Sequence, residues 1–377
     1  MTAVNRLYEG RAWIELDGSA LRQNLSFFRE RAHGKKVIPV LKANAYGYGE
    51  TEIMSLLQDT ETEMIACACI EEAVSLRENG WNRDILILGY TCPQDFDLLE
   101  QYDVTQTLPD HAYACRLNES GCECKVHIAV DTGMHRIGFS WEDPERILDV
   151  FAFEHLKVTG MFTHLCTSDK TENSDFTDMQ IRRMEEAAAY IRKQGYDPGI
   201  IHISATYGIL NYPRIKEDAV RLGIGMFGVL NDENDSREYG AVLKPVLSLH
   251  ARVISVRNLK QGEYAGYGKA YQAEKDMQIA AISIGYGDGL PRDLSMRGGY
   301  VLIHGQKAKL IGRICTDQAL ADVTGIATEE GDTVTLIGRD GNEEITVGMW
   351  AEWEDTITID VLTRLSARPA RIIKNYS

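Results

Sequence analysis

The stretch KVIPVLKANAYGYG, residues 36–49, runs from a β-branched apolar segment into Lys42 and then into glycines, an asparagine and two tyrosines. The apolar segment reads as a strand buried on both faces, because parallel strands covered by helices are apolar throughout instead of alternating. Seven more such runs follow by residue 230: MIACACI (64–70), DILILGY (84–90), DVTQTL (103–108), KVHIAVD (125–131), LKVTGMFTH (156–164), IIHIS (200–204) and AVRLGIGMFG (219–228). Most lead into helix-like segments such as EEAVSLRENG (71–80) and DFTDMQIRRMEEAAAYIRKQG (175–195). Strands alternating with amphipathic helices form βαβ units around a parallel sheet, and eight repeats predict a closed (β/α)8, TIM-like barrel. The polar residue that ends each barrel strand lies at the end that carries active sites. Lys42, Asp131, His164, Ser204 and Arg221 fall at or near such ends.

After LNDENDSREYG (230–240), an acidic, turn-rich stretch, the helical patterns stop. Short alternating strands punctuated by Gly and Asp take over: VLSLHARVISVRNL, QIAAISIGYG, YVLIHGQKAKLIG, DTVTLIG and DTITIDVLTRL. They predict an all-β domain. The fold class expected is therefore α/β plus β: an N-terminal segment over 1–12 that joins the β domain, a barrel over 13–235 and the β domain over 236–377.

Composition fits a globular chain, with 44% apolar and 25% charged residues in 377. Forty basic against 56 acidic residues give −16, which disfavours nucleic acid and anionic membranes as partners and leaves small molecules. No run of 18 apolar residues and no signal-peptide pattern occurs, so a cytoplasmic protein without membrane contact is expected. The eight cysteines lack C-x-x-C or His/Cys ligand spacing, which argues against zinc. Their apolar settings suggest buried free thiols in a reducing compartment.

A lysine at the end of a buried strand has two readings. It can snorkel to the surface on its packed stem. Alternatively, desolvation lowers its proton affinity and makes it a nucleophile toward an aldehyde. Asn44 and Gly47 permit a tight loop, and Tyr46 brings a hydroxyl near the barrel mouth. The aldehyde this suggests is pyridoxal 5'-phosphate, which needs a phosphate cradle and a partner for its ring nitrogen. HISATYG (202–208) offers Ser204 and Thr206, and RLGIGMFG (221–228) offers the backbone N–H groups of Gly223 and Ile224. Arg221, always charged, would keep a ring nitrogen unprotonated and favour proton shuttling over decarboxylation or elimination.

VLKANAYGYG (40–49), DTGMHRIGF (131–139), FTHL (162–165), HISATYGILNYP (202–213), RLGIGMFG, GYGKAY (266–271), SIGYGDGLPR (283–292) and GRICTDQ (312–318) together resemble the alanine racemase family in order and spacing. The resemblance runs from AWIELD near residue 12 to TITIDV near 361. It implies a pyridoxal-phosphate enzyme made of a (β/α)8 barrel and a β domain, working as a head-to-tail homodimer with shared active sites. It implies that Lys42 bears the cofactor and is the base for the D-amino acid, while Tyr267 of the other subunit is the base for the L-amino acid. Tyr46 and Thr206 match phosphate-binding hydroxyls, and Gly223 and Ile224 match phosphate-binding amides. Arg221 matches the ring-nitrogen partner, and His164 the histidine that stacks on the ring. Arg136 matches the residue that meets the phenolic oxygen and the substrate carboxylate. Tyr286 and Asp317 match entrance and substrate-site positions contributed by the partner chain, Thr316 a position whose backbone N–H helps bind the substrate carboxylate, and Ile359 a position close to the phosphate and the substrate side chain.

The resemblance also implies the reaction: interconversion of L- and D-alanine, supplying D-amino acids for peptidoglycan. Three positions depart from the family pattern. Ala129 replaces a lysine that becomes carbamylated and braces the arginine at 136, leaving that brace to His135 or a bound anion. Thr316 replaces a methionine, and Ile359 replaces a tyrosine. Serine racemase domains of vancomycin-resistance clusters also depart at the last position, so a serine or mixed alanine/serine racemase is the alternative. Barrel decarboxylases usually hold the ring nitrogen with a carboxylate, which Arg221 disfavours. A non-enzymatic pyridoxal-phosphate carrier would not need the 137 residues after 240.

Overall fold

The structure is a computed structural model and describes residues 10–170, 172 and 174–375. Most of the N-terminal segment expected over 1–12 therefore lies outside the described residues. Its end leads into β1 (Ala12–Asp17), whose Trp13, Ile14 and Leu16 are buried. The chain divides into two compact units, one made of residues 25–45 and 53–226, the other of residues 1–24, 46–52 and 227–377.

The first unit contains all eight predicted parallel strands: β2 (Lys36–Pro39), β3 (Met64–Cys67), β4 (Asp84–Ile87), β5 (Thr105–Leu108), β6 (Cys124–Asp131), β7 (Leu156–Phe162), β8 (Ile200–His202) and β9 (Ala219–Leu222). Their order is β2-β9-β8-β7-β6-β5-β4-β3. Val40 bridges Ala66 in parallel, and the Leu41 N–H donates to the Ala66 carbonyl at 2.7 Å, so the first strand meets the second and the sheet closes. Val126, Ile128, Met161, Ile201, Val220 and Leu222 are buried along these strands.

Helices α1 (Ile70–Glu78) and α2 (Ser174–Lys193) follow β3 and β7. Along α2 the buried positions are Thr177, Gln180, Met184, Ala187, Ala188 and Ile191, the three-and-four spacing that turns one helical stripe inward. Asp175 in its first turn and Arg192 and Lys193 in its last complement the helix dipole. After β8 comes only the six-residue α3 (Thr206–Asn211).

The second unit is β-rich. Its strands are β10 (Leu247–Leu259), β11 (Met277–Ile282), β12 (Tyr300–Ile303), β13 (Gln306–Ile311), β14 (Ala319–Asp322), β15 (Thr333–Asp340), β16 (Glu343–Ile345) and β17 (Ala370–Lys374). With β1 they form one sheet in the order β16-β15-β12-β13-β14-β11-β10-β1-β17, and β15 also pairs with β10. The thirteen residues of β10 make this possible: Leu247–Ala251 pair with β1, Val253–Leu259 with β11, and Leu249–Arg252 with β15. β1, which sequence reasoning placed in the barrel from residue 13, is a strand of this sheet, antiparallel to β10 and parallel to β17.

Three expectations change here. The acidic stretch at 230–240 contains α4 (Glu233–Glu238), started by Asp232, whose carboxylate accepts from the Asp235 N–H at 2.8 Å. The unit also holds α5 (Val347–Glu354), capped by the Thr346 hydroxyl. DTITIDVLTRL, read as a strand, forms α6 (Thr358–Thr363). Its buried residues Thr358, Val361 and Leu362 recur at helical spacing, and the Thr358 hydroxyl donates to the Leu230 carbonyl at 2.6 Å. Local β propensity yields to that packing. All eight cysteines are free, but only Cys67, Cys122 and Cys124 are buried. Cys92 and Cys166 are exposed because they sit in loops beyond strand ends.

Candidate functional site

Lys42 leaves the end of β2 into a turn of unusual hand. Ala43, Asn44, Ala45 and Tyr46 have φ of 54°, 54°, 51° and 56°, the left-handed region, and none is glycine. Each such residue costs about 1–2 kcal/mol for an L-amino acid, so the surroundings must enforce the turn. The Ala45 N–H returns to the Leu41 carbonyl at 2.7 Å. The half-buried Lys42 amine has its proton affinity lowered, first by burial and then by Arg136 and Arg221, with Glu72 opposing. Depressed proton affinity is what a nucleophilic lysine requires.

Arg221, on β9, is buried and donates to the carbonyls of His202 (2.9 Å), Thr163 (2.8 Å) and Ile203 (2.9 Å). It also meets His202 Nδ1 at 2.6 Å and His164 Nδ1 at 3.2 Å. A guanidinium only donates, so both Nδ1 atoms accept and both neutral rings carry their proton on Nε2. His202 Nε2 then donates to His127 Nδ1 at 2.9 Å, which puts the proton of His127 on its own Nε2. Burial and then Arg221 push His127 and His164 down to about 3 and His202 well below its usual range, so all three are neutral near pH 7. Gly160 makes room for this chain: a Cβ there would lie 2.6 Å from the His127 ring.

Ser204, Thr206, Gly223 and Ile224 fall in the same unit. The Gly223 and Ile224 amides are buried at the start of the 3-10 turn Ile224–Phe227, and neither donates to a protein acceptor among the described residues. Buried amides need partners, so this pair suits an anion such as a phosphate. The Gly225 N–H reaches the Thr206 hydroxyl at 3.4 Å. Ser204 is committed elsewhere: its hydroxyl donates to Glu217 Oε1 at 2.6 Å, and its N–H to Glu217 Oε2 at 2.8 Å. A lysine of lowered proton affinity, a buried donor-only arginine and unpaired amides at a strand end could hold an aldehyde, a ring nitrogen and a phosphate, the three groups of pyridoxal phosphate.

Arg136 is exposed and has no hydrogen-bond partner among the described residues. His135 does not brace it, because His135 Nδ1 pairs with Asp131 Oδ2 at 2.9 Å. Ala129 is buried within β6, where its methyl leaves no group to carbamylate.

The remaining predicted residues belong to the β-rich unit. Tyr46 is buried there, in edge-on contact with Phe227. Tyr267 opens the 3-10 turn Tyr267–Lys269 between paired residues 264–265 and 271–272 and is 68% exposed. The Tyr286 hydroxyl accepts from Thr316 Oγ1 at 2.5 Å, and the Tyr286 and Gly287 N–H groups donate to the Cys315 and Thr316 carbonyls. Asp317 pairs with Arg368 at 2.7 Å. Arg368 also lies 3.4 Å from the buried Asp288, which takes two bonds from Arg11. Ile359 is half-buried on α6. Sequence reasoning missed His127, His202, Glu72, Asp288 and Arg368. All but Arg368 stood in quoted stretches, and their spacing did not distinguish them from core histidines or solvated acids. Among the described residues no cluster of His, Cys, Asp and Glu could hold a metal ion, and no helix is long and apolar enough to cross a membrane.

Residues 16–231 match the family model of the alanine racemase N-terminal domain, and residues 246–373 that of the alanine racemase C-terminal domain. Two Enterococcus faecalis proteins named amino-acid racemase are 38% and 35% identical over 95% of this chain, but over 51% and 50% of their own lengths. The chain thus spans about half the length of these relatives. The alanine racemase of Carboxydothermus hydrogenoformans is 34% identical over 96% of this chain and 98% of its own. Among solved structures, the histidine racemase from Leuconostoc mesenteroides subsp. sake matches with a TM-score of 0.86 at 33% identity, covering 97% of this chain and 98% of that one.

Proposed function

The chain belongs to the alanine racemase family, and from that premise we propose that it interconverts L- and D-alanine with pyridoxal 5'-phosphate held at Lys42. The observation that carries the reading is the pairing, in one unit, of a lysine amine of lowered proton affinity with an arginine gripped by three carbonyls and two neutral imidazoles. The cofactor, when bound, draws electron density from Cα and makes its hydrogen acidic. Arg221 would face the ring nitrogen and, unable to accept a proton, would keep that nitrogen unprotonated, which favours proton shuttling over decarboxylation or elimination. Thr206, Gly223 and Ile224, with Tyr46 as the resemblance implies, would hold the phosphate, and Ser204, through Glu217, keeps the strand end in place.

Inverting Cα needs one base on each face. Lys42 Nζ takes or returns the proton on the D side. The Tyr267 hydroxyl, contributed by a second copy of the chain, does so on the L side. Arg136 would orient the substrate carboxylate, and Tyr286 and Asp317 from the second copy, with Thr316, would line the approach. Neutral His164 would stack on the ring, and Arg221 keeps the positive charge of the pair. The eight free cysteines suit a cytoplasmic setting, and D-alanine made there would supply peptidoglycan synthesis.

A second reading rests on the half-length match to proteins named only amino-acid racemase, and on Ile359 and Thr316. It is a racemase unit of a longer protein that turns over serine, as in a vancomycin-resistance system. Apolar pockets reject an added hydroxyl only weakly, so both substrates can be accepted. Chiral chromatography after incubation with L-alanine, L-serine or L-histidine separates the readings. D-alanine as main product supports the first, and D-serine as main product the second. Decarboxylated amine, or no D-isomer with any substrate, overturns both. Borohydride treatment should fix the cofactor to the peptide bearing Lys42, and a Lys42→Ala protein should stay colourless.

A further inference from the structure

Glu72, on α1, divides its two carboxylate oxygens between two strand ends. Oε1 accepts from the Ala43 N–H at 2.6 Å and Oε2 from the Ala68 N–H at 2.7 Å. Ala43 follows Lys42 beyond β2, and Ala68 follows β3. These strands close the barrel through the Val40–Ala66 bridge. Past that bridge one side chain continues the seam, in place of a further ladder bond. Ala43 is also the first residue of the left-handed turn, where the backbone most needs an outside constraint. A carboxylate accepting an N–H is stronger than a neutral acceptor and shorter, as observed.

We infer that Glu72 is the positioning residue for Lys42: by holding the first amide of the left-handed turn, its carboxylate sets where the lysine amine stands at the barrel mouth. This deepens the reading of Lys42 as cofactor lysine and rests on it. The groups facing the amine are Arg136 and Arg221, both cationic, the neutral His164, and Glu72 as the counter-charge. Burial and the arginines lower the amine's proton affinity and Glu72 raises it, so the same carboxylate that places the amine also moderates its charge. Glu72→Gln separates these contributions from bulk. It keeps the size, removes the charge, and leaves one carbonyl oxygen for two N–H donors.

The test uses cofactor-free protein and needs no turnover. Amide exchange over residues 40–46, followed by mass spectrometry, should speed up at least about tenfold in Glu72→Gln relative to the rest of the barrel. Labelling of Lys42 by an amine-selective acylating reagent, quantified by peptide mapping across pH, should reach its midpoint on the order of one pH unit lower. Glu72→Asp, which keeps the charge but loses reach, should lose the protection and keep more of the wild-type midpoint. Wild-type exchange and midpoint in Glu72→Gln overturn the inference. So does a lowered melting temperature with neither local change, because that marks a merely structural acid. Should the protein prove not to be a racemase, both readouts still stand, so the two failures are distinguishable.

Discussion

Arg221 can donate but never accept, and that property orders every imidazole around it. Arg221→Lys replaces a planar fork with a compact ammonium, which cannot serve three carbonyls and two rings together. The expected result is a fall in kcat of about 100-fold, as for a reacting geometry displaced by an ångström; an unchanged kcat with L-alanine would contradict it. The neutral histidines make a second prediction. Their folded values lie below 6.5, so between pH 6.5 and about 3 the unfolded chain binds more protons than the folded one. Stability from this source is complete above pH 6.5 and lost as the pH falls, at up to about 1.4 kcal/mol per pH unit for each ring. Urea midpoints should drop from pH 7.5 to 5, and less steeply in His127→Asn; equal slopes would refute the assignment. Lys42 and Arg221 were legible in sequence because each breaks an apolar run at a strand end. Glu72 was not, since an acid on an amphipathic helix looks like any solvated charge until the turn it grips is known.

The loops at 285–289 and 312–318 hold each other by main-chain bonds, so their register depends on the absence of a side chain at Gly285. A Cβ there would lie 2.3 Å from the Cys315 carbonyl oxygen and 2.5 Å from that of Thr316, backbone atoms with no rotamer to yield. Gly285→Ala should therefore displace Thr316 and Asp317 and raise KM for the amino acid while Lys42 still takes up the cofactor. Loss of cofactor uptake, or an unchanged KM, would show that the loop register does not matter in this way. At this scale most barrel strands were legible because they are nearly continuous apolar runs that need no partner to be recognised; β5, TQTL, was legible only from its place between helices. α6 was not. TITID is β-branched and alternates, and only the burial of Thr358, Val361 and Leu362 reveals a helix. The hairpin tip bearing Tyr267 was visible only as a motif, since local sequence does not say that a tyrosine stands 68% exposed.

For the whole molecule, the proposed sharing of sites between copies makes a numerical prediction. Lys42→Ala and Tyr267→Phe should each be nearly inactive alone. Reassorted together, the mixed dimer pairs one intact Lys42 with one intact Tyr267 and should regain one of its two sites. No recovery after confirmed subunit exchange would place both bases within one chain. The two-part architecture was legible from the change of period near residue 240, but the partners of β1 were not. Pairing of residues 12–16 with 247–251 is long-range, and nothing in AWIELD names its neighbours.

That pairing sets an order of events during synthesis. β1 leaves the ribosome well before its two neighbours, β10 and β17, which include residues as late as Lys374. At about 5–20 residues per second, β1 waits roughly 20–70 s for its last partner. Until β10 is made, Trp13, Ile14 and Leu16 have no strand to pair with, and until β17 is made one edge of β1 stays open. β1 is thus made long before both its edges are covered, and a nascent chain stalled before residue 370 would present an open apolar edge to whatever binds unfinished proteins.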